Sequence, residues 1–151
     1  MAEWQVRLSA EELNEAMSVA FPTPGRKRDL VREVSPGRVK LLREFNPIML
    51  RPGGTIAGPV LMNLADAAGY IIVMAHAGHE LMAMTSSLTM NFLRPAKPGD
   101  IRVDAELLSF GRRTAVCDVR IWTETPDRPA CQATVTYARA QAAKPRRPGP
   151  L

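Results

Sequence analysis

The sequence predicts an α+β domain in which an antiparallel sheet wraps around one long central helix. Three observations carry this. From Gly53 to His79 the only formal charge is Asp66. Within that stretch VLMNLADAAGYIIVMAHA is apolar on most faces, as a helix enclosed by protein has to be. The residues that follow alternate apolar and polar in the manner of strands, broken by short turns containing Pro and Gly.

The elements follow in order. Ser9 with Glu12 three residues on makes a capping-box pattern, and Leu13, Ala16, Met17 and Ala20 recur at helical spacing, so a helix is expected over 10–20. Phe21-Pro-Thr-Pro-Gly stops it. Two short strands, 29–34 and 38–45, flank the turn Ser35-Pro36-Gly37 as a hairpin. Gly58-Pro59 suits the start of the long helix and Gly78 its stop. In the strand after it, Met82, Met84, Ser86, Leu88, Met90 and Phe92 are expected on one face, with Ala83, Thr85, Ser87, Thr89, Asn91 and Leu93 on the other. Three further strands present Ile101, Val103, Ala105 and Leu107, then Ala115, Cys117, Val119 and Ile121, then Cys131, Ala133, Val135 and Tyr137 to the core. Short connections make antiparallel neighbours of consecutive strands.

Composition narrows the function. The 151 residues suit one domain, expected over 1–141. The net charge is +5, and Lys144, Arg146 and Arg147 place part of it in a Pro-rich stretch, 142–151, that reads as a disordered basic tail. Aromatic residues are only 5 %, too few to interleave a basic patch, so a small polyanion is a better partner than nucleic acid. Two cysteines, Cys117 and Cys131, make neither a disulfide framework nor a zinc motif. The opening residues lack the basic-then-apolar order of a signal peptide, which points to the cytoplasm. A lone Asp in the middle of the apolar helix argues against a membrane span. His76 and His79 could seat a metal by spacing, but no carboxylate motif accompanies them. No cofactor is expected.

Thr55-Ile-Ala-Gly-Pro-Val-Leu-Met-Asn-Leu-Ala-Asp66, followed by Thr85-Ser-Ser-Leu-Thr-Met-Asn-Phe-Leu-Arg-Pro95-Ala-Lys-Pro-Gly-Asp100, resembles the PaaI-like branch of the hotdog thioesterases. The resemblance covers roughly residues 45–137. It implies a homodimer or a dimer of dimers, with sheets joined edge to edge, that hydrolyses acyl-CoA thioesters at the subunit interface. By the same resemblance Asp66 is the acid that acts as base or nucleophile. Gly58 supplies an oxyanion-binding N–H, and Thr85 holds the attacking water. The sequence departs from the family pattern at Ala57 (in place of a His), Pro59 (in place of a second Gly) and Arg51 (in place of an Asn). These departures motivate the alternative of a non-catalytic acyl-CoA binding protein. A hydratase ranks last, because no His is near Asp66 in sequence.

The residues support these roles on physical grounds. A carboxylate within an apolar helix is costly unless paired or functional. A glycine at a helix start exposes N–H groups where negative charge is favoured. Asn63, one turn before Asp66, could orient the carboxylate or bind substrate in place of the family's Asn, absent at Arg51. Thr85 and Ser87 are expected to share a strand face and to bind water, although β-propensity alone would explain both. Arg94, Arg112 and Arg113, at strand ends and turns, could hold the CoA phosphates or simply be solvated.

Overall fold

The computed structural model describes residues 4–25, 27 and 29–140. The tail expected over 142–151 lies outside the described residues. The first helix, α1, spans Ala10–Ala20, and its capping box is formed. Ser9 Oγ accepts from the Glu12 N–H at 3.1 Å, and the Glu12 carboxylate accepts from the Ser9 N–H at 3.1 Å. The hairpin strands are β1, Val31–Ser35, and β2, Arg38–Arg43. A 3-10 turn at Pro47–Met49, which the sequence did not announce, is capped by Asn46, whose side chain accepts from the Ile48 N–H at 3.0 Å. The long helix α2 runs Gly58–Ala77. Four strands follow: β3, Met84–Phe92; β4, Ile101–Phe110; β5, Thr114–Trp122; and β6, Cys131–Ala138.

The six strands form one antiparallel sheet in the order β1-β2-β4-β5-β6-β3. The expected inner faces of β4, β5 and β6 are buried throughout, from Ile101 to Tyr137. They close over α2, which packs against β2 through β6, while α1 packs against β1 and α2. By length and composition α2 could cross a membrane; here 67 % of its apolar window is buried inside the fold. This is the hotdog arrangement, a sheet curled around one helix.

One expectation about neighbours fails. β3 does not pair with β4, the next strand in the chain, but with β6. The connection after Leu93 carries the chain across the sheet, and β4 pairs instead with β2 and β5. β3 is thereby an edge strand, with most of its residues exposed.

The expected alternation along β3 also fails, for a local reason. Thr85 lies opposite Tyr137, but Ser87 lies opposite Thr136, so two steps on β3 match one on β6. Ser86 is the extra residue of a β-bulge, which flips the strand's phase. Downstream of it, Leu88, Met90 and Phe92 oppose the buried Val135, Ala133 and Cys131. Upstream, Thr85 shares the inner face with Tyr137, and Met84 points outward, 69 % exposed. Thr85 and Ser87 therefore face opposite ways.

Two contacts fix where α2 sits. Gly69 lies so close to β6 that an added Cβ would come within 2.7 Å of Tyr137 Cε2 and 2.9 Å of Val135 Cγ1. At the other end His76 is buried, with Nδ1 2.9 Å from the Ile72 carbonyl, while Nε2 accepts from the Gly37 N–H at 2.9 Å. One neutral tautomer, protonated on Nδ1, satisfies both bonds. His76 thus ties α2 to the β1–β2 turn, which accounts for its presence without a metal.

Candidate active site

Asp66 sits mid-helix on the stripe of α2 that the sheet leaves uncovered, along with Met62 and Asn63. It is half-buried. Its Oδ1 receives two hydroxyls, Thr85 Oγ1 at 2.5 Å and Tyr137 Oη at 2.7 Å. Tyr137 Oη also lies 2.9 Å from the main-chain carbonyl of Asp66. The two donors come from adjacent strands and face each other directly in the β3–β6 register. The bulge at Ser86 turns Thr85 inward, and the missing side chain at Gly69 admits the Tyr137 ring.

Burial pushes the Tyr137 phenol well above its usual range. The Thr85 hydroxyl works against this, and the Asp66 carboxylate adds to it. Tyr137 therefore stays protonated at neutral pH and acts as a donor. Its ring lies 6.1 Å from that of Tyr70, whose hydroxyl donates to the Leu81 carbonyl at 2.7 Å.

Asp66, Asn63, Ala67 and Tyr70 form one wall of a cleft of about 690 Å3. The other wall comes from the end of α1 and the segment after it, including Met17, Phe21, Pro22 and Pro24, with Arg43 of β2 at the side. Along the α1 segment these apolar side chains are interspersed with the polar Asn14, Ser18, Thr23 and Lys27, and the opposite wall is polar at Asn63 and Asp66. Such a surface suits a molecule with an apolar body and one reactive polar group.

The other sequence-predicted residues divide. Asn63 shares the cleft with Asp66, but its Oδ1 accepts from Arg43 at 3.4 Å, so Arg43 is a partner that the sequence did not suggest. Ser87 is on the wrong face, because the bulge separates it from Thr85. Gly58 begins α2, about 12 Å along the helix axis from Asp66. No side chain caps that end. Pro59 has no N–H to offer, which leaves the Gly58 N–H as the leading donor of the first turn.

The basic residues divide as well. Arg112 and Arg113 occupy the β4–β5 turn, at the end of the sheet that holds Tyr137. Arg94 follows the far end of β3, about 30 Å along the strand from Thr85. It bonds there to the Pro129 carbonyl, while Phe92 nearby lies against Gly58. Arg51 is exposed in the loop before α2. Tyr137 is the residue that sequence reasoning missed. Its only signal was a hydroxyl on an otherwise apolar inner face.

Comparison with known proteins agrees with this architecture. A candidate thioesterase of a Silicibacter species superposes with a TM-score of 0.79 at 27 % identity, over 91 % of this chain and 96 % of the other. A thioesterase-like protein of Streptococcus pneumoniae, solved with coenzyme A, gives a TM-score of 0.64 at 24 % identity, over 73 % of this chain and 84 % of that one. An esterase candidate from Saccharolobus solfataricus is 32 % identical over 83 residues. The chain spans about half the length of that curated relative, 55 % of it, and the match takes in 55 % of this chain. Residues 53–130, from the loop before α2 to the start of β6, match the model of the thioesterase superfamily, and the chain belongs to that superfamily.

Proposed function

We propose that the protein hydrolyses acyl-CoA thioesters to free acid and CoA in the manner of the PaaI-like branch, as a cytoplasmic homodimer or dimer of dimers whose active sites lie between subunits. The observation that carries the reading is the Asp66 carboxylate, fixed by two hydroxyls at the mouth of a half-apolar cleft. In the reaction Asp66 takes a proton from water and the hydroxide attacks the thioester carbonyl. The oxyanion that forms accepts the Gly58 N–H of a second copy at the positive end of its helix. The C–S bond then breaks, and the CoA thiolate leaves with the proton held by Asp66. Direct attack by the carboxylate is the other route the site allows. Thr85 donates its hydroxyl hydrogen bond to Asp66, which leaves its oxygen lone pairs free to accept from the attacking water.

The distances within one chain favour a shared site. Gly58 and Arg94 sit at one end of β3; Asp66, Arg112 and Arg113 sit at the other. Two β3 edges pairing antiparallel would bring one copy's Gly58 end to its partner's Asp66 end. The basic residues that the chain keeps apart would then converge as a site for CoA phosphates. The relative solved with coenzyme A supports that choice of carrier. Cys117 and Cys131, both free and buried, suit a reducing compartment.

The test is thiol release from a panel of acyl-CoAs. Wild type is expected to turn over at least one of them, and Asp66→Ala to lose at least a hundredfold in kcat. Equal background rates from both proteins would remove the enzyme. The departures at Ala57, Pro59 and Arg51 favour a second reading, an acyl-CoA binding protein. Its signature is a ligand-induced rise in Tm without turnover.

A further inference from the structure

We infer that Tyr137 is a positioning residue for Asp66: its hydroxyl, together with that of Thr85 directly across the β3–β6 ladder, pins one carboxylate oxygen and leaves the other for the reaction. The inference rests on Asp66 being the reactive acid. Both side-chain donors meet Oδ1, at 2.5 and 2.7 Å. An aspartate on a helix has a rotatable side chain, and a single donor would leave it free to pivot. Two donors from opposed positions on adjacent strands restrict that pivot. With Oδ1 occupied, Oδ2 is the oxygen available to water or to the thioester carbon.

The fold makes specific provision for this hydroxyl. Tyr137 is buried among Tyr70, Val135 and α2, and its ring occupies the space opened by Gly69. A phenylalanine would fill that space equally well, so packing does not explain the oxygen. The second contact of Oη, to the main-chain carbonyl of Asp66, places the phenol over the residue's backbone and side chain together. The helix position and the carboxylate direction are thus set from one point on β6. Thr85 alone could not do this, because it lies on an edge strand that is largely exposed.

Acting through Asp66 distinguishes this role from simple packing. Tyr137→Phe keeps the ring and removes the donor. A hydrogen bond to a charged group corresponds to about ten- to a hundredfold in rate. The expected result for Tyr137→Phe is a kcat lower by about that factor, an unchanged KM, and a fold intact by circular dichroism at the assay temperature. In an Asp66→Ala background the same substitution should change nothing further, since there is no carboxylate to hold. Wild-type kcat in Tyr137→Phe would overturn the inference while leaving Asp66 in place. So would an equal further loss in both backgrounds, or a rise in KM alone. If Asp66→Ala itself turns over like wild type, the proposed function fails, and the positioning role fails with it. Should Tyr137→Phe prove unfolded, Thr85→Val gives the second reading. It removes the opposing donor without touching the core, and it too should lower kcat only when Asp66 is present. A loss independent of Asp66 would overturn the paired-donor scheme.

Discussion

Two glycines on α2 answer to different neighbours, and substitution should separate them. A Cβ at Gly69 would collide with Tyr137 and Val135. Gly69→Ala is therefore expected to destabilise by about 1–3 kcal/mol, seen as a lower Tm, and to lower turnover by displacing Tyr137. A Cβ at Gly58 would rest 3.6 Å from the Phe92 ring, an ordinary contact. Gly58→Ala should fold with a stability within about 1 kcal/mol of wild type, yet lose turnover by crowding the proposed oxyanion site. At this scale Asp66 was legible in the sequence, because one charge in an apolar helix is conspicuous. Tyr137 was not. Alternation says that a side chain points inward, but not that its hydroxyl will find a carboxylate from a distant helix.

The helices are legible to their observed ends, because caps and stop signals are local: Ser9 and Glu12 for α1, Gly58-Pro59 and Gly78 for α2. The strands were read as strands, but the partner of β3 and its phase were not. Pairing with β6 is decided by closure of the sheet over α2, and the bulge at Ser86 leaves no residue signature in a run of serines and threonines. The contact between α2 and the β1–β2 turn carries a pH prediction. Burial pushes the His76 imidazole below its usual range, against a smaller upward effect of the bond to Ile72. An unfolded chain takes up this proton near pH 6.5, whereas the folded chain resists until lower pH. The unfolded state thus binds more protons in that window. The stability contributed by neutral His76 is complete above about pH 6.5 and is lost as pH falls toward the lowered value. Urea midpoints at pH 7.5 and 5.5 should differ in wild type, and His76→Gln should flatten the difference.

For the whole molecule, the separation of Gly58 from Asp66 makes a prediction that only a shared site meets. Asp66→Ala and Gly58→Val should each be inactive alone. When the two are unfolded together in equal amounts and refolded, half of the dimers are mixed, and each mixed dimer holds one site with both wild-type residues. About a quarter of wild-type turnover should return. A site contained within one chain would recover nothing. The overall plan was largely visible beforehand, since an apolar helix of this length needs a sheet around it. The proposed meeting of two copies would be a matter of surface and edge, which residue patterns in one chain express only weakly.

The extra residue at Ser86 has a consequence for how this strand tolerates change. β3 is two segments in opposite phase, joined at one position. Substitutions on either side alter a single side chain, but gain or loss of one residue beside Ser86 rotates the whole of one segment by half a turn relative to the other. The Thr85 hydroxyl would then face solvent and Met84 the carboxylate, with the hydrophobic content of the chain hardly altered. The local frame of this strand is thus a specification separate from its composition, and the chemistry proposed at Asp66 depends on it.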